Sequence, residues 1–193
     1  MESTAKYITT TLPYVNAEPH VGFALELVQA DTLARYWRLL GHDVFFNTGT
    51  DEHGQKIAQK ADEQGKDRQT YVDEYAATFS RLQDSLNLSY DAFIRTTGAK
   101  HQAAAQAIWQ RCAEKGDIYK KSYKGHYCVG CELFYRESEL EEGLVCPIHK
   151  KPTEAVEEEN YFFKLSNYEQ PLIELLSNEA RTIPGWQRQW ALE

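Results

Sequence analysis

Apolar residues near the N-terminus are spaced as in a strand followed by a long helix. β-Branched and apolar side chains from Tyr7 to Leu12 predict a strand. Apolar side chains three and four positions apart predict a helix over residues 21–40, and Gly41 is its expected end. The face of this helix that we expect to be buried consists of Val21, Leu25, Val28, Thr32, Tyr36 and Leu39.

Strands and helices continue to alternate as far as residue 117. The further predicted elements are strands over Asp43–Thr48 and Asp91–Thr96 and helices over 53–64, 68–86 and 99–115. Chains in which strands alternate with helices form a parallel sheet with right-handed crossovers. The predicted fold class is therefore α/β, and residues 1–117 are expected to form the first half of a Rossmann-like, parallel-sheet nucleotide-binding domain.

The pattern changes after Asp117, and residues 118–193 are predicted to form a second domain. Ile118–Tyr127 predicts a strand or the arm of a hairpin, and the aromatic run in Asn160–Leu165 predicts another strand. Glu154–Glu159 is expected to be a solvated acidic loop. Helices are expected over 167–178 and about 184–192, where Trp186 and Trp190 should pack together locally.

Composition and charge restrict the class of protein. Of the 193 residues, 42% are hydrophobic and 26% are charged, which is ordinary for a globular domain. The net charge of −8 argues against a general nucleic-acid-coating protein, because such surfaces need clustered lysine and arginine. No apolar run approaches the about 18 residues of a membrane span, and the first residues lack the apolar region of a signal peptide. We therefore expect a cytoplasmic protein with no membrane partner, in which the cysteines are metal ligands or reduced thiols.

Two polar loops follow the first two predicted strands. The first loop brings His20 and Gly22 to the start of the long helix, where free backbone N–H groups favour phosphates; alternatively, His20 only caps the helix. The second loop contains Asp51 and His53, and the Asp51 carboxylate is placed either to hold an ammonium group or to cap the next helix. Because neighbouring parallel strands bring such loops to one edge of the sheet, the two loops together favour a ligand site there.

The most specific motif by spacing consists of two pairs of cysteine and histidine residues. Two residues separate Cys128 from Cys131, two separate Cys146 from His149, and fourteen lie between the pairs. Each pair supplies one edge of a tetrahedron, and thiolate and imidazole ligands suit Zn²⁺. Four protein ligands leave no open position, so the metal would be structural; the alternative is unrelated thiols and a surface histidine. Cys112 has no partner in its helix and is expected to be a small core residue.

Five blocks of the sequence, in order, resemble the methionyl-tRNA synthetase family of class I aminoacyl-tRNA synthetases. Thr11–Asn16 followed by Pro19–Phe23 is similar to the first signature of the class, written His-Ile-Gly-His, and Gly49–Ile57 looks like this family's second loop. The remaining blocks are Tyr90–Thr97, Lys115–Tyr119 leading to Tyr127–Glu132, and Glu158–Phe163. The last two resemble the beginning and the end of a zinc-binding connective insert, so the resemblance covers essentially the whole chain.

The resemblance implies a two-step ligation. Methionine and ATP, the latter with magnesium, would form methionyl adenylate and pyrophosphate, and the methionyl group would then pass to methionine tRNA. Such an enzyme positions its reactants and stabilises charge on phosphate oxygens, and His20 and Asp51 are the expected catalytic residues. The matching positions are Thr11, Leu12, Tyr14 and Asp51 for methionine, His20, Gly22 and Phe23 for ATP, and Cys128, Cys131, Cys146 and His149 for one structural zinc ion.

Two departures from the family pattern matter. Phe23 stands where the class signature has its second histidine. Loss of such a phosphate donor typically costs roughly 2.7–4 kcal/mol, so Phe23→His is expected to raise the adenylation rate of a complete enzyme. The family's later strands, its Lys-Met-Ser-Lys-Ser loop and its anticodon-binding domain have no counterpart in these residues.

The chain is therefore expected to be the N-terminal part of the enzyme, with an unpaired sheet edge. One alternative is a short form that does not catalyse and binds nucleotide, methionine or a partner protein. A less favoured alternative is a class I synthetase for another aliphatic amino acid. The oligomeric state is not determined by the sequence.

Overall fold

The computed structural model describes residues 4–177, which divide into two compact units. The first unit ends at Gln106 and the second begins at Ala107, whereas the sequence suggested a boundary after residue 117. The helix expected at 184–192, with its tryptophan pair, lies outside the described residues. No helix within residues 4–177 combines the length and the apolarity needed to cross a membrane.

The first unit is built on a parallel sheet, as predicted. Its elements are β1 (Ala5–Thr9), α1 (Val21–Leu39), β2 (Asp43–Thr50), α2 (Gln55–Glu63), α3 (Arg68–Ser80), α4 (Leu82–Ser85), β3 (Ala92–Arg95) and the first part of α5 (Ala99–Glu114). The strands pair in the order β1-β2-β3. A Cβ at Gly49 would lie 1.8 Å from the carbonyl oxygen of Ile94, so the close approach of β2 and β3 at this point requires glycine.

The buried face of α1 is not the one that the spacing predicted. Phe23, Leu27, Asp31 and Ala34 face the core. The residues of the predicted face are all exposed: Val21, Leu25, Val28, Thr32, Tyr36 and Leu39. The helix carries two apolar stripes, and the inner one is interrupted by Asp31, whose carboxylate accepts hydrogen bonds of 2.6 Å from the backbone N–H and the hydroxyl of Ser89. Because Asp31 interrupts the inner stripe, that face of the helix looked polar in the sequence. In the fold, the hydrogen bonds from Ser89 allow the Asp31 carboxylate to be buried.

Two apolar clusters form the core of the first unit. One connects the three longer helices α1, α2 and α3 through Val15, Phe23, Leu27, Ile57, Ala61, Tyr71, Val72, Phe79 and Leu88. The other connects α1 to one face of the sheet through Ile8, Ala34, Val44 and Phe46. On the opposite face, Tyr7 and Phe45 stack at 6.0 Å and remain largely exposed. Among the described strands β1 pairs only with β2, so its outer edge is unpaired there.

The second unit is an antiparallel sheet. The central strand β4 (Ile118–Cys128) pairs with the short β5 (Leu133–Tyr135) and with β6 (Glu154–Phe163), and α6 (Glu169–Ser177) follows. The prediction of a loop at Glu154–Glu159 was wrong, because these residues begin β6. Their carboxylates face lysines of β4, with Nζ–Oε distances of 2.7 Å for Lys120–Glu159 and 2.8 Å for Lys124–Glu157. Opposite charges on paired strands make an acidic run compatible with a strand.

Candidate functional site

The loops that follow β1 and β2 lie side by side at the carboxyl ends of these strands, as the sequence predicted. The backbone N–H of Asp51 donates to the carbonyl of Pro13 at 2.9 Å, and the N–H of Val15 donates to the carbonyl of Asp51 at 3.3 Å. Tyr14 and Asp51 are thereby paired as in a parallel ladder. Two side chains predicted to bind methionine therefore leave the backbone at adjacent points.

The first loop is attached to α1 by a carboxylate that the sequence analysis did not identify. Glu26 accepts hydrogen bonds of 2.6 and 2.7 Å from the backbone N–H and the hydroxyl of Thr11. Leu12 is half-buried and Tyr14 is exposed. Tyr14 lines a cavity of about 170 Å³ together with eight other residues, which include His20 and Phe23 but not Thr11 or Leu12.

His20 caps α1. Its Nδ1 accepts hydrogen bonds from the backbone N–H groups of Gly22 at 3.1 Å and of Phe23 at 3.4 Å. Because Nδ1 acts as an acceptor, the proton of the neutral imidazole is on Nε2, which can still donate to an anion. Capping and anion binding are therefore compatible uses of this side chain. A Cβ at Gly22 would lie 3.1 Å from the His20 ring, so Gly22 provides the room for this arrangement.

Phe23 is a core residue. Its ring is 6% exposed and meets the ring of Phe79 edge-on at 5.5 Å. A histidine at this position would have to place a polar ring in the apolar cluster of α1, α2 and α3, which costs stability unless both ring nitrogens find partners. Any gain in rate from Phe23→His would therefore be accompanied by a loss of stability.

Asp51 does not cap the helix that follows it. The N-cap of α2 is Gly54, with no side-chain hydrogen bond. The half-buried carboxylate of Asp51 accepts instead from the backbone N–H of His53 and from the hydroxyl of Thr96, both at 3.4 Å through Oδ1. Of the two uses that the sequence left open, helix capping is thus not observed.

Next to Asp51, a buried ion pair fixes the second loop. The side chain of Glu52 is fully buried and accepts from Arg95 Nε at 2.6 Å, from Arg95 Nη2 at 2.9 Å, from the Thr50 hydroxyl at 2.7 Å and from the Thr97 hydroxyl. Arg95 also pairs with Asp73 of α3 at 2.6 Å, and this hydrogen bond lowers the pKa of the Asp73 carboxyl. A buried carboxylate satisfied by this many donors holds one conformation.

Thr96 contacts each residue of the second loop from Thr50 to His53. Its N–H donates to Thr50 O at 3.2 Å, its hydroxyl accepts from the Glu52 N–H at 2.7 Å, and its carbonyl lies 3.3 Å from His53 Nε2. The hydroxyl also reaches Asp51, as described above. The sequence analysis missed Glu52, Arg95 and Thr96. An arginine inside a predicted strand was the available signal, because a guanidinium there needs a buried carboxylate nearby.

The predicted zinc ligands come together in the second unit. One ligand atom from each of Cys128, Cys131, Cys146 and His149 lies within 4.8 Å of all the others. His149 Nδ1 is 3.1 Å from Cys131 Sγ, 3.8 Å from Cys128 Sγ and 4.0 Å from Cys146 Sγ, and Cys131 Sγ is 3.6 Å from Cys146 Sγ. A tetrahedral zinc site with ordinary bond lengths has ligand–ligand edges of about 3.6–3.8 Å. The donor set and its spacing therefore fit Zn²⁺.

The surroundings of Cys146 favour its thiolate. Burial acts to raise the pKa of the Cys146 thiol, but backbone N–H groups of His149 and Ile148 outweigh it and the pKa falls to about 6. A Cβ at Gly130 would lie 2.6 Å from the His149 ring, so glycine is needed for the imidazole to enter. Cys112 lies apart on α5 and is only half-buried, so the expectation of a core residue was wrong.

Comparison with known sequences gives one consistent answer. The sequence profile of a family described as tRNA synthetases class I (M) matches residues 6–155. A methionine–tRNA ligase of Thermotoga maritima is 51% identical over 170 residues, which are 86% of this chain and 27% of that protein. The chloroplastic/mitochondrial methionine–tRNA ligase of Arabidopsis thaliana is 45% identical over 91% of this chain and 29% of its own length. The chain thus spans less than a third of the length of these relatives.

Solved structures agree with the sequence comparison. The methionyl-tRNA synthetase of Mycobacterium tuberculosis in complex with methionyl-adenylate superposes with a TM-score of 0.89 and 40% identity, over 98% of this chain and 38% of that one. The free form of the same enzyme gives a TM-score of 0.72. The signature loops, the parallel sheet and this similarity together show that the chain belongs to the methionyl-tRNA synthetase family of class I tRNA synthetases.

Proposed function

We propose that this chain supplies the methionine- and ATP-binding part of a methionine–tRNA ligase, as the N-terminal part of that enzyme. One observation carries the proposal. The Asp51 carboxylate and the Tyr14 side chain leave paired backbone at the carboxyl ends of β1 and β2, beside the N-terminus of α1. In an open α/β sheet this is the position where ligands bind. The adenylate complex of the structural relative is consistent with this use.

Each side chain has a role in this proposal. Asp51 holds the α-ammonium group of methionine. Thr11, Leu12 and Tyr14, on the first loop, contact the rest of the amino acid. His20 Nε2 and the N-terminus of α1 at Gly22 face the phosphates of ATP, which arrives with magnesium, whereas Phe23 contributes by packing its buried ring beneath this turn. The methionine carboxylate attacks the α-phosphorus and pyrophosphate leaves; the ribose hydroxyl of methionine tRNA then takes the methionyl group. The protein holds reactants in line and stabilises charge, so no side chain needs to form a covalent bond.

The test is methionine-dependent exchange of pyrophosphate into ATP, catalysed by the product of the complete reading frame that encodes these residues. Asp51→Asn should raise the KM for methionine at least tenfold and leave the KM for ATP nearly unchanged. Asp62→Asn, at an exposed aspartate of α2, is the matched control. Equal methionine KM values in the Asp51→Asn and unchanged proteins would contradict the role of Asp51. Preference for another aliphatic amino acid would reassign the substrate.

A binding protein without ligase activity is the second candidate, and the unpaired edge of β1 favours it. An exposed strand edge is a template for pairing with another chain. Absence of exchange, combined with methionine or nucleotide binding by calorimetry, would support this candidate over the ligase. A cytoplasmic location, where methionine tRNA is charged, belongs to the ligase proposal.

We further propose that residues 118–193 form a zinc-bearing insert in which Cys128, Cys131, Cys146 and His149 hold one structural Zn²⁺. The ion would cross-link β4 to the segment before β6, and with four protein ligands it has no position for substrate. Metal analysis of the purified chain should give one zinc per molecule. Cys146→Ser should lose it, whereas Cys112→Ser, outside the cluster, should keep it. Zinc well below one equivalent in a folded sample never exposed to chelator would refute the site.

A further inference from the structure

The cysteine thiols of the cluster differ in what donates to them. Cys146 Sγ accepts from the backbone N–H of His149 at 3.4 Å, a contact that no substitution of a side chain removes directly. Cys131 Sγ instead accepts from the hydroxyl of Tyr135 at 3.1 Å. Cys131 is also the least buried of the cluster's cysteines, since Cys128 and Cys146 are both buried. Among the described contacts, the most accessible thiol of the cluster is therefore the one that accepts from a side chain outside the cluster.

The local fold explains how Tyr135 reaches the cluster. The turn after β4 carries Cys131 and leads into β5, which ends at Tyr135. β5 pairs with the end of β4, with Tyr135 opposite His126 and Leu133 opposite Cys128. The tyrosine is thus held by a strand that is itself paired with the strand carrying a ligand. Its hydroxyl is placed by backbone pairing, in the manner of a group that orients a metal ligand.

We infer that Tyr135 is a positioning residue of the metal site, whose hydroxyl stabilises the Cys131 thiolate and shields it from electrophiles. The inference rests on the zinc site proposed above. Three thiolates and one neutral imidazole give a Zn²⁺ centre a net charge of −1, and acidic residues such as Glu132 and Glu137 are close in sequence. A hydroxyl donor on the exposed sulfur reduces the negative charge that this sulfur carries. Hydrogen-bond partners of this kind typically change metal affinity by about 10–100-fold when they are removed.

The test compares Tyr135→Phe with the unchanged chain, because phenylalanine keeps the ring and removes only the hydroxyl. Tyr119→Phe, on the same sheet but in the first half of β4, is the control. Zinc affinity is measured by competition with a chromogenic chelator. Tyr135→Phe should bind Zn²⁺ about tenfold more weakly, and Tyr119→Phe should match the unchanged chain. With Co²⁺ in place of zinc, the sulfur-to-metal charge-transfer band of Tyr135→Phe should move to longer wavelength, since a thiolate that has lost a donor gives up electron density more readily.

A second measurement separates a hydrogen-bonding role from a merely structural one. The zinc-loaded chains are treated with N-ethylmaleimide, and alkylation of each cysteine is followed by peptide mass spectrometry. Loss of the hydroxyl should accelerate alkylation of Cys131 relative to Cys128, whereas general loosening of the site would accelerate both equally. An unchanged Cys131-to-Cys128 ratio together with unchanged zinc affinity would overturn the role of Tyr135 alone. An unchanged chain that takes up no Zn²⁺ would overturn the zinc site, and this inference with it.

Discussion

The two units of the chain contain sheets of equal strand number that are stabilised in different ways. In the first unit the sheet and helices enclose two apolar clusters, and side chains such as Phe46 and Tyr71 are completely buried. In the described part of the second unit only Asp117, Cys128 and Cys146 are buried. The sheet of the second unit is covered instead by exposed or half-buried aromatic pairs, among them Tyr123–Phe134 at 4.9 Å.

This difference indicates where each unit obtains its stability. Burial of apolar surface is the main favourable term in folding, at about 25 cal/mol per Å². A unit that buries few side chains needs a cross-link, and small domains commonly use a metal for it. Of the three residues that are buried between positions 107 and 177, two are cysteines of the Cys/His cluster. In the second unit, the cluster therefore has the structural role that the apolar core has in the first unit.

Removal of the proposed zinc ion is the change with the largest expected effect, and it should act on one unit only. Apparent binding free energies of structural zinc are about 10–16 kcal/mol in zinc-finger peptides, and most of this appears as folding free energy. After exhaustive chelation we expect backbone amides of β4, β5 and β6 to lose protection from hydrogen exchange, while those of β1, β2 and β3 keep theirs. Re-addition of Zn²⁺ should restore protection. Equal loss in both sheets, or none in either, would refute the division of roles.

The largest single-residue effect is expected in the first unit, at Glu52. Glu52→Gln removes the buried charge that pairs with Arg95, and breaking such a pair typically costs about 3–5 kcal/mol; because Arg95 is 31% exposed and keeps its pair with Asp73, we expect the lower end of this range. The free energy of unfolding of the first unit, from urea denaturation, should fall by this amount. Glu74→Gln, which breaks the exposed ion pair with Lys66, is the matched control and should have little effect. A loss of zinc from Glu52→Gln would contradict the independence of the two units.

How much could be predicted from the sequence depends on how local each feature is. The order of the strands and main helices of the first unit and the bounds of α1 follow from spacing within one segment, so they were predicted correctly, although the helix expected over 68–86 is divided into α3 and α4 and β1 ends at Thr9. The cysteine and histidine pairs are also local, because each pair lies within four positions. The loops that follow β1 and β2 could be placed together, because the carboxyl ends of neighbouring parallel strands lie at the same edge of the sheet.

The features that were missed depend on partners far along the chain. The outward face of α1 was taken for the inward one because Asp31 finds its partner at Ser89, far along the sequence. Glu154–Glu159 looked like a loop because the lysines that neutralise it lie on β4. The network of Glu52, Arg95 and Thr96 requires the pairing of β2 with β3, which no single segment reveals. In each case the prediction for a charged residue used only its neighbours in sequence, whereas its partner in the fold lies far along the chain.

The hydrogen bonds that Ser89 and Arg35 donate to Asp31 can be tested through the pH dependence of stability, and the expected effect is smaller than that of Glu52→Gln. Burial opposes ionisation of Asp31, but hydrogen bonds from Ser89 and Arg35 outweigh it, and the pKa of the Asp31 carboxyl lies below its usual value. A group with a lowered pKa in the folded state stabilises the protein above its unfolded pKa, and this contribution is lost as pH falls through the folded pKa. Asp31→Asn should therefore lower the free energy of unfolding at pH 7 by about 1.5–3 kcal/mol.

The difference between Asp31→Asn and the unchanged protein should shrink as pH is lowered from about 5 towards 2, because Asp31 of the unchanged protein is then protonated and neither protein has a charge at this position. Urea denaturation at several pH values measures it. Asp62→Asn, at an exposed site, should show no such convergence. A difference that stays constant down to pH 2 would mean that the charge of Asp31 is not what Ser89 and Arg35 stabilise.

The smallest effect on stability is expected from removing a charge pair between β4 and β6. A small effect would distinguish stabilisation by the metal from stabilisation by the charge pairs. The side chains of Lys124 and Glu157 are 74% and 58% exposed, and exposed ion pairs contribute only about 0–1 kcal/mol. Lys124→Ala in the zinc-loaded chain should leave the thermal midpoint of the second unit nearly unchanged, and so should added salt. A fall comparable to that caused by zinc removal would show that the charged ladder, rather than the proposed metal, is the main source of stability of the second unit. If the midpoint holds, the acidic and basic runs serve to select which strand pairs with β4, because two copies of either strand would place like charges opposite one another, whereas β4 beside β6 places lysines near glutamates.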